Sequence, residues 1–279
     1  MAFDITRTVR LANGVEMPIL GFGTYKIVDQ TELERSVLTA FEAGYRSIDT
    51  ASAYENEEAI GRALRECGLP RDEIFLTTKP WNDEQGEAGV ARAIERSLGR
   101  LGVDHVDLYL VHWPIPRLYE STWRGMERVL EEGLARAIGV CNFLEHHLEG
   151  LSAVAEVMPM VDQVEHHPRL QQPGLRAHCK ERGIALEAWA PIMRGRVDEE
   201  PVLVRIAEAH GVSPVQVALR WSIQHGTIVI PKSATPERIR VNADLFGFEL
   251  TAEEMSAIDA LDRGEAGRLG KHPDEFVTG

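Results

Sequence analysis

Cysteine is scarce in this 279-residue chain: Cys67, Cys141 and Cys179 make an odd set with no CxxC spacing. That excludes a disulfide framework and leads us to expect reduced thiols in a cytoplasmic protein. Basic charge is short as well. Lys and Arg number 30 against 44 Asp and Glu, a formal net charge of −14. A field of that sign repels polyphosphates, which excludes nucleic acid and anionic membranes as partners. A small anionic ligand survives, because its recognition needs only local charge. Long apolar runs are missing too: stretches such as 137–140 and 157–161 fall far short of the ~18 residues of a membrane span. The opening MAFDITRTVRLANG has no apolar signal core. GxSxG and HExxH are absent, and Gly270-Lys271 lacks the glycine a P-loop places five positions earlier.

What is present is ordinary globular composition, with 44% apolar and 27% charged residues, and a hydrophobic period that changes repeatedly. Leu33, Val37, Ala40 and Phe41 have helical spacing after a cap at Asp29. Gly44 stops the run, and Tyr45 to Ile48 reads as a strand. The same unit recurs before strands at Ile74–Thr78, Val106–Val111, Ala137–Val140, Met160–Val164, Ile184–Ala188 and Thr227–Ile230. With Ile19–Phe22 this gives eight strands alternating with helices and no linker between them. Such alternation needs right-handed crossovers and a parallel sheet, and eight units in about 250 residues is the arithmetic of a (β/α)8 TIM barrel. A doubly wound sheet would announce itself with GxGxxG after the first strand, but Gly21-Phe22-Gly23-Thr24-Tyr25-Lys26 lacks the third glycine. We expect one domain over 1–279. Asn13-Gly14 should turn an N-terminal β-hairpin over the barrel's N-terminal end. The Gly-rich tail 262–279 is either a frayed terminus or a loop over the active-site mouth.

In a barrel, chemistry gathers where strands end at the C-terminal face. Asp49, Lys79, His112, Asn142, Gln163, Trp189 and Lys232 are expected there, and Tyr54 on the loop beyond Asp49. A lysine beside a phenol favours the phenolate, and an aspartate holds that lysine charged and in place. Tyr54 could then protonate a carbonyl oxygen.

The segments GFGTY, DTASAY, TTKPW, LYLVHWP, GVCNF and IPKSATPERI, in this order from about Thr8 to Leu261, resemble the aldo-keto reductases. They look most like the microbial 2,5-diketo-D-gluconate and methylglyoxal reductase types. The resemblance implies an oxidoreductase that reduces small aldehydes and ketones, keto sugars and keto esters among them, with NADPH bound across the barrel. Tyr54 would be the general acid, tuned by Lys79 and Asp49, with His112 orienting the carbonyl. Asn142 and Gln163 would hold the carboxamide and Trp189 would stack on the nicotinamide. Gly23, Thr24 and Tyr25 would lie along the cofactor, and Lys232, Ser233 and Arg238 would take the 2′-phosphate. Tyr25, Trp81 and Trp113 would wall the carbonyl pocket. Cys141, Ala190 and the Met193–Arg196 run depart from the usual serines and Gly-rich loop, although the arginines of that run could still reach phosphate.

Two rivals use the same residues: a Schiff-base aldolase with Lys79 as nucleophile, and a non-catalytic NADPH-sensing regulatory subunit. No metal is expected. Adjacent histidines, as in His146-His147 and His166-His167, point about 100° apart on a helix and to opposite faces of a strand. Asp198-Glu199-Glu200 reads as acidic capping of a helix opened by Pro201. Nothing demands an oligomer, and a monomer is expected.

Overall fold

A computed structural model describes residues 4–276. Strands β1 (Thr8–Arg10) and β2 (Glu16–Pro18) pair antiparallel. Gly14 makes the turn between them at φ +88°, a left-handed conformation that glycine adopts without steric cost. Asn13 Oδ1 accepts from the Val15 N–H at 3.2 Å, and its Nδ2 donates to the Arg136 carbonyl at 2.8 Å. The last bond seats the hairpin on the N-terminal end of the barrel, as expected.

Eight parallel strands follow in chain order: β3 (Phe22–Gly23), β4 (Ser47–Asp49), β5 (Phe75–Thr78), β6 (Val106–Val111), β7 (Ala135–Cys141), β8 (Val161–Glu165), β9 (Ala185–Trp189) and β10 (Ile228–Val229). The seam between first and last is closed. Leu20 bridges Val229 in parallel, the Gly21 N–H reaches Val229 O at 2.9 Å, and the Gly23 N–H reaches Pro231 O at 3.2 Å. A side chain on Gly23 would put its Cβ 2.8 Å from the Ile230 carbonyl. The glycine is therefore required by the seam itself, before any ligand is considered.

The helices wrap this barrel: α1 (Gln30–Glu42), α2 (Glu57–Glu66), α3 (Glu87–Leu101), α4 (Tyr119–Glu131), α5 (Glu145–Ser152), α6 (Pro173–Glu181), α7 (Pro201–His210), α8 (Pro214–Gln224), α9 (Pro236–Ala243) and α10 (Ala252–Asp259). In α1 the expected pattern is realised. Asp29 Oδ1 accepts from the Glu32 N–H at 2.7 Å, and Leu33, Val37, Ala40 and Phe41 are buried. Removing such side chains from water is the main stabilising term of the shell. No helix among the described residues is long and apolar enough to cross a membrane.

Two expectations are corrected. β4, β8 and β9 each run one residue further than hydrophobicity alone suggests, so Asp49 and Trp189 end their strands and Gln163 lies inside β8, instead of following them. Ladder pairing with both neighbours continues regardless of side-chain polarity. Nor do the acids before α7 cap it. Glu200 is buried and accepts from Arg169 Nε and, at 2.7 Å, from Arg263 Nη2, while Glu199 pairs with Arg196 and Arg169. The nearly buried Arg169 demands an anion there, and that demand outweighs the helix dipole.

Candidate active site

Asp49 ends β4, Lys79 follows β5, His112 follows β6, and Tyr54 sits on the turn Ser52–Tyr54 above β4. All four meet at the C-terminal mouth. Lys79 Nζ, with no exposure, donates to both Asp49 oxygens at 2.7 Å and to the Thr50 carbonyl at 2.8 Å. All three ammonium hydrogens are thereby engaged. Burial alone would pull this lysine down, but Asp49 holds it protonated, above the ordinary lysine range. A protonated, fully bonded amine is no nucleophile, which removes the chemistry of a Schiff-base aldolase.

Lys79 Nζ lies 5.3 Å from the centre of the Tyr54 ring, and the His112 ring is 5.8 Å from it, edge-on. The expected lowering of the phenol does not prevail. Burial pushes Tyr54 up, and Asp49 opposes the pull of Lys79, so the group is a neutral proton donor. His112 is held well below the ordinary histidine range, first by burial and then by Lys79. It is therefore a neutral ring, and its Nδ1 is buried with no hydrogen-bond partner. A neutral imidazole beside a neutral phenol can receive an uncharged, polar carbonyl oxygen without forcing a charge into the site.

Beside the tetrad, Asn142 follows β7 at φ +63°, in the left-handed region. Its Nδ2 donates to the His112 carbonyl at 3.0 Å, and its Oδ1 accepts from Trp189 Nε1 at 2.9 Å. Gln163 Nε2 donates at 2.8 Å to Asp49 Oδ2 and to Glu187 Oε2. Its amide hydrogens are thus fixed and its oxygen remains to accept from a ligand amide. Thr24 is less available than expected. It has no exposure, its hydroxyl donates to the Asp49 carbonyl at 2.8 Å, and Asn56 packs against it, so it braces β4 from behind. Cys141 is buried on β7, and burial raises its thiol, which leaves it a poor donor.

Lys232 and Arg238 stand at the start of α9, where Ser233 Oγ accepts from the Thr235 N–H at 3.1 Å. Among the described residues neither cation has an ion pair, whereas Arg240 on the same helix pairs with Glu42. Two unpaired cations beside free helix N–H groups suit a phosphate dianion. In the 193–196 run, Arg196 is already held by Glu199 at 2.9 Å, which leaves Arg194, in a left-handed turn, as its free cation.

The three aromatics expected around the carbonyl lie near the tetrad or beside one that does. Tyr25 packs on Tyr54 at 4.9 Å and Trp81 on His112 at 5.0 Å, and Trp113 is joined to Trp81 through Phe276. The tail supplies this fourth aromatic. Phe276 packs on Trp113 with tilted rings 4.3 Å apart and lies 6.2 Å from Trp81. The described part of the tail is therefore a loop over the mouth, and 277–279 lie outside the described residues. Glu165 anchors it by accepting from the Leu269 and Gly270 N–H groups at 2.6 and 2.9 Å.

The histidine pairs divide. His166 and His167 are buried apart, one stacked on Trp221 and the other bonded to Glu165 at 3.0 Å. His146 and His147 do not diverge as expected. Their rings lie 3.9 Å apart and both Nε2 atoms approach Asp274 Oδ1, at 2.9 and 3.2 Å. They sit in the first turn of α5, where the His147 ring folds back so that its Nδ1 accepts from the Leu144 N–H at 3.1 Å. That bond leaves Nε2 as the protonated nitrogen, a donor to Asp274 instead of a metal ligand. Glu187 escaped sequence reasoning altogether; an acid inside the apolar run of β9 was its only signal.

A family model described as the aldo/keto reductase family matches residues 19–263. The glyoxal reductase of Bacillus subtilis is 50% identical over 277 residues, covering 99% of this chain and all of that protein. Among solved structures, an aldo/keto reductase from Brucella melitensis superposes with a TM-score of 0.88 at 46% identity, covering 91% of this chain and 99% of that one. An aldo-keto reductase from Bombyx mori, solved in complex with NADP, gives 0.88 at 37% identity over 94% of each chain.

Proposed function

The chain belongs to the aldo/keto reductase family, and from that membership we propose that it reduces small aldehydes and ketones to alcohols with NADPH, acting as a monomer in the cytoplasm. Short α-oxoaldehydes such as methylglyoxal are the preferred substrates, with keto sugars and keto esters behind them. The observation that carries this reading is the fixed trio of neutral Tyr54, neutral His112 and an Asp49-locked Lys79 under one aromatic rim. Relatives that are a glyoxal reductase and an NADP complex agree with it.

The bound cofactor would supply a hydride to the carbonyl carbon. Gln163 and Asn142 would hold its carboxamide, Trp189 would offer the ring a flat surface, and Lys232, Ser233 and Arg238 would receive the 2′-phosphate. The unpaired state of those two cations and the open acceptor on Gln163 are what make these residues a fit for it. His112 donates to the carbonyl oxygen and fixes its direction. Tyr54 gives that oxygen its proton, and the buried Lys79 ammonium stabilises the phenolate left behind. Phe276, Trp113 and Trp81 shut one side of the mouth, which favours short substrates over long ones. Reversal requires Tyr54 to be ionised, so alcohol oxidation should rise with pH.

An NADPH-consumption screen over methylglyoxal, glyoxal, keto sugars and keto esters, with NADH alongside, tests the reading. Consumption with none of these carbonyls would overturn it, as would a trapped borohydride adduct on Lys79.

A further inference from the structure

Glu187 is an acid inside a barrel that already holds a matched ion pair. It lies in the middle of β9 with no exposure. Its Oε2 accepts from Gln163 Nε2 at 2.8 Å, while its Oε1 is buried without a partner. Three titratable groups face it: Asp49 from β4, Lys79 beyond β5 and Cys141 from β7. Ile228, paired beside it on β10, brings none. Because Lys79 and Asp49 cancel, the state of Glu187 sets the net charge of the interior. Burial, reinforced by Asp49, pushes its carboxyl up to about 8 against the opposing pull of Gln163 and Lys79. At neutral pH it keeps its proton.

Residues two apart on a strand share a face, so Glu187 lies under Trp189, roughly 7 Å along β9. Its contact Gln163 and its strand neighbour Trp189 are the two residues that hold the nicotinamide under the proposed function, and a role for Glu187 there depends on that reading. The ring is neutral in NADPH and carries a positive charge in NADP+. We propose that Glu187 is a positioning residue that locks the Gln163 amide and reads the redox state of the cofactor, keeping its proton under NADPH and releasing it to solvent under NADP+. A positive ring above a buried carboxyl favours the carboxylate, and by reciprocity the carboxylate tightens NADP+.

Dissociation constants for NADP+ and NADPH, read from quenching of tryptophan fluorescence between about pH 6 and pH 9.5, test this on the whole protein and on Glu187→Gln. In the wild type the ratio of NADP+ to NADPH constants should fall about 10- to 50-fold as pH rises past the Glu187 transition, the range expected for one charge roughly 7–10 Å away. Glu187→Gln keeps an acceptor for Gln163 but cannot titrate, so its ratio should stay flat. Protonation of the 2′-phosphate is common to both cofactors and cancels. A flat ratio in the wild type, or the same slope in the variant, overturns the proposal. If Glu187→Gln folds poorly, wild-type calorimetry in buffers of different ionisation enthalpy decides. NADP+ should release a fraction of a proton that NADPH does not, and equal counts refute the idea. Binding of neither cofactor would overturn the proposed function and this inference with it, whereas tight binding of both at a constant ratio defeats this inference alone.

Discussion

The two ends of the same barrel differ in how far their buried polar groups are satisfied. At the N-terminal end, Asp107 in β6 is almost fully buried and fully satisfied. Arg71 and Arg136 each approach at 2.8 Å, and the Leu76 N–H donates at 2.9 Å. The hairpin lies over that end. At the C-terminal end, Glu187 keeps an unpartnered oxygen, His112 an unpartnered nitrogen, and Tyr54 and Cys141 are raised by burial. Residues with left-handed backbone gather there too: Lys26, Glu55, Asn142, Ala190, Met193 and Arg194 all lie on loops beyond the strands. Strain and unmet polar groups persist only where the surrounding fold over-determines them, and here the closed, well-paired far end supplies that rigidity. One end of the barrel carries the stability that the other gives up to be reactive.

Changes at the two ends should therefore separate activity from stability. The largest effect is expected from Tyr54→Phe: turnover should fall about 10³-fold, with the melting temperature and NADPH binding nearly unchanged. A variant that keeps its activity would refute the role of the phenol. Asp107→Ala should do the reverse. Freeing two arginines from a buried carboxylate should cost about 3 kcal/mol of unfolding free energy by urea titration, with activity per folded molecule preserved. Loss of catalysis at constant stability would erase the contrast between the ends. Next in size, Lys232→Gly with Arg238→His should weaken NADPH by about tenfold or more while barely moving NADH, since each charge-assisted bond contributes about 1.5–3 kcal/mol at most. Equal losses for both cofactors would exclude a 2′-phosphate contact. The smallest effect belongs to Ala190→Gly, which relieves a left-handed alanine at φ +52°. It should raise stability by about 0.5–1 kcal/mol, and a drop in melting temperature would show that the strain at this mouth is not local.

Much of the fold and of the site is legible in the sequence because certain signals are local. Asn13-Gly14 is a turn by its own conformational preference, Asp29 caps by its own side chain, and the alternation of periods is a property of neighbouring residues. The tetrad can be found because strand ends follow from periodicity. Local signals mislead where a distant charge decides the outcome. The acids 198–200 look like caps until Arg169 arrives from another loop, and His146 and His147 look divergent until Leu144 and Asp274 are placed.

By itself, then, the sequence determined the eight alternating units, the hairpin and the set of reactive residues, because short-range periodicity and residue chemistry need no knowledge of what packs against them. Only the tertiary structure decided the state of those residues. Burial outweighed Lys79 at Tyr54, Gln163 joined Asp49 to Glu187 across the barrel, and the tail settled over Trp113 instead of fraying. Desolvation and hydrogen bonding act between groups far apart in the chain, and a linear pattern carries no record of which of them will meet.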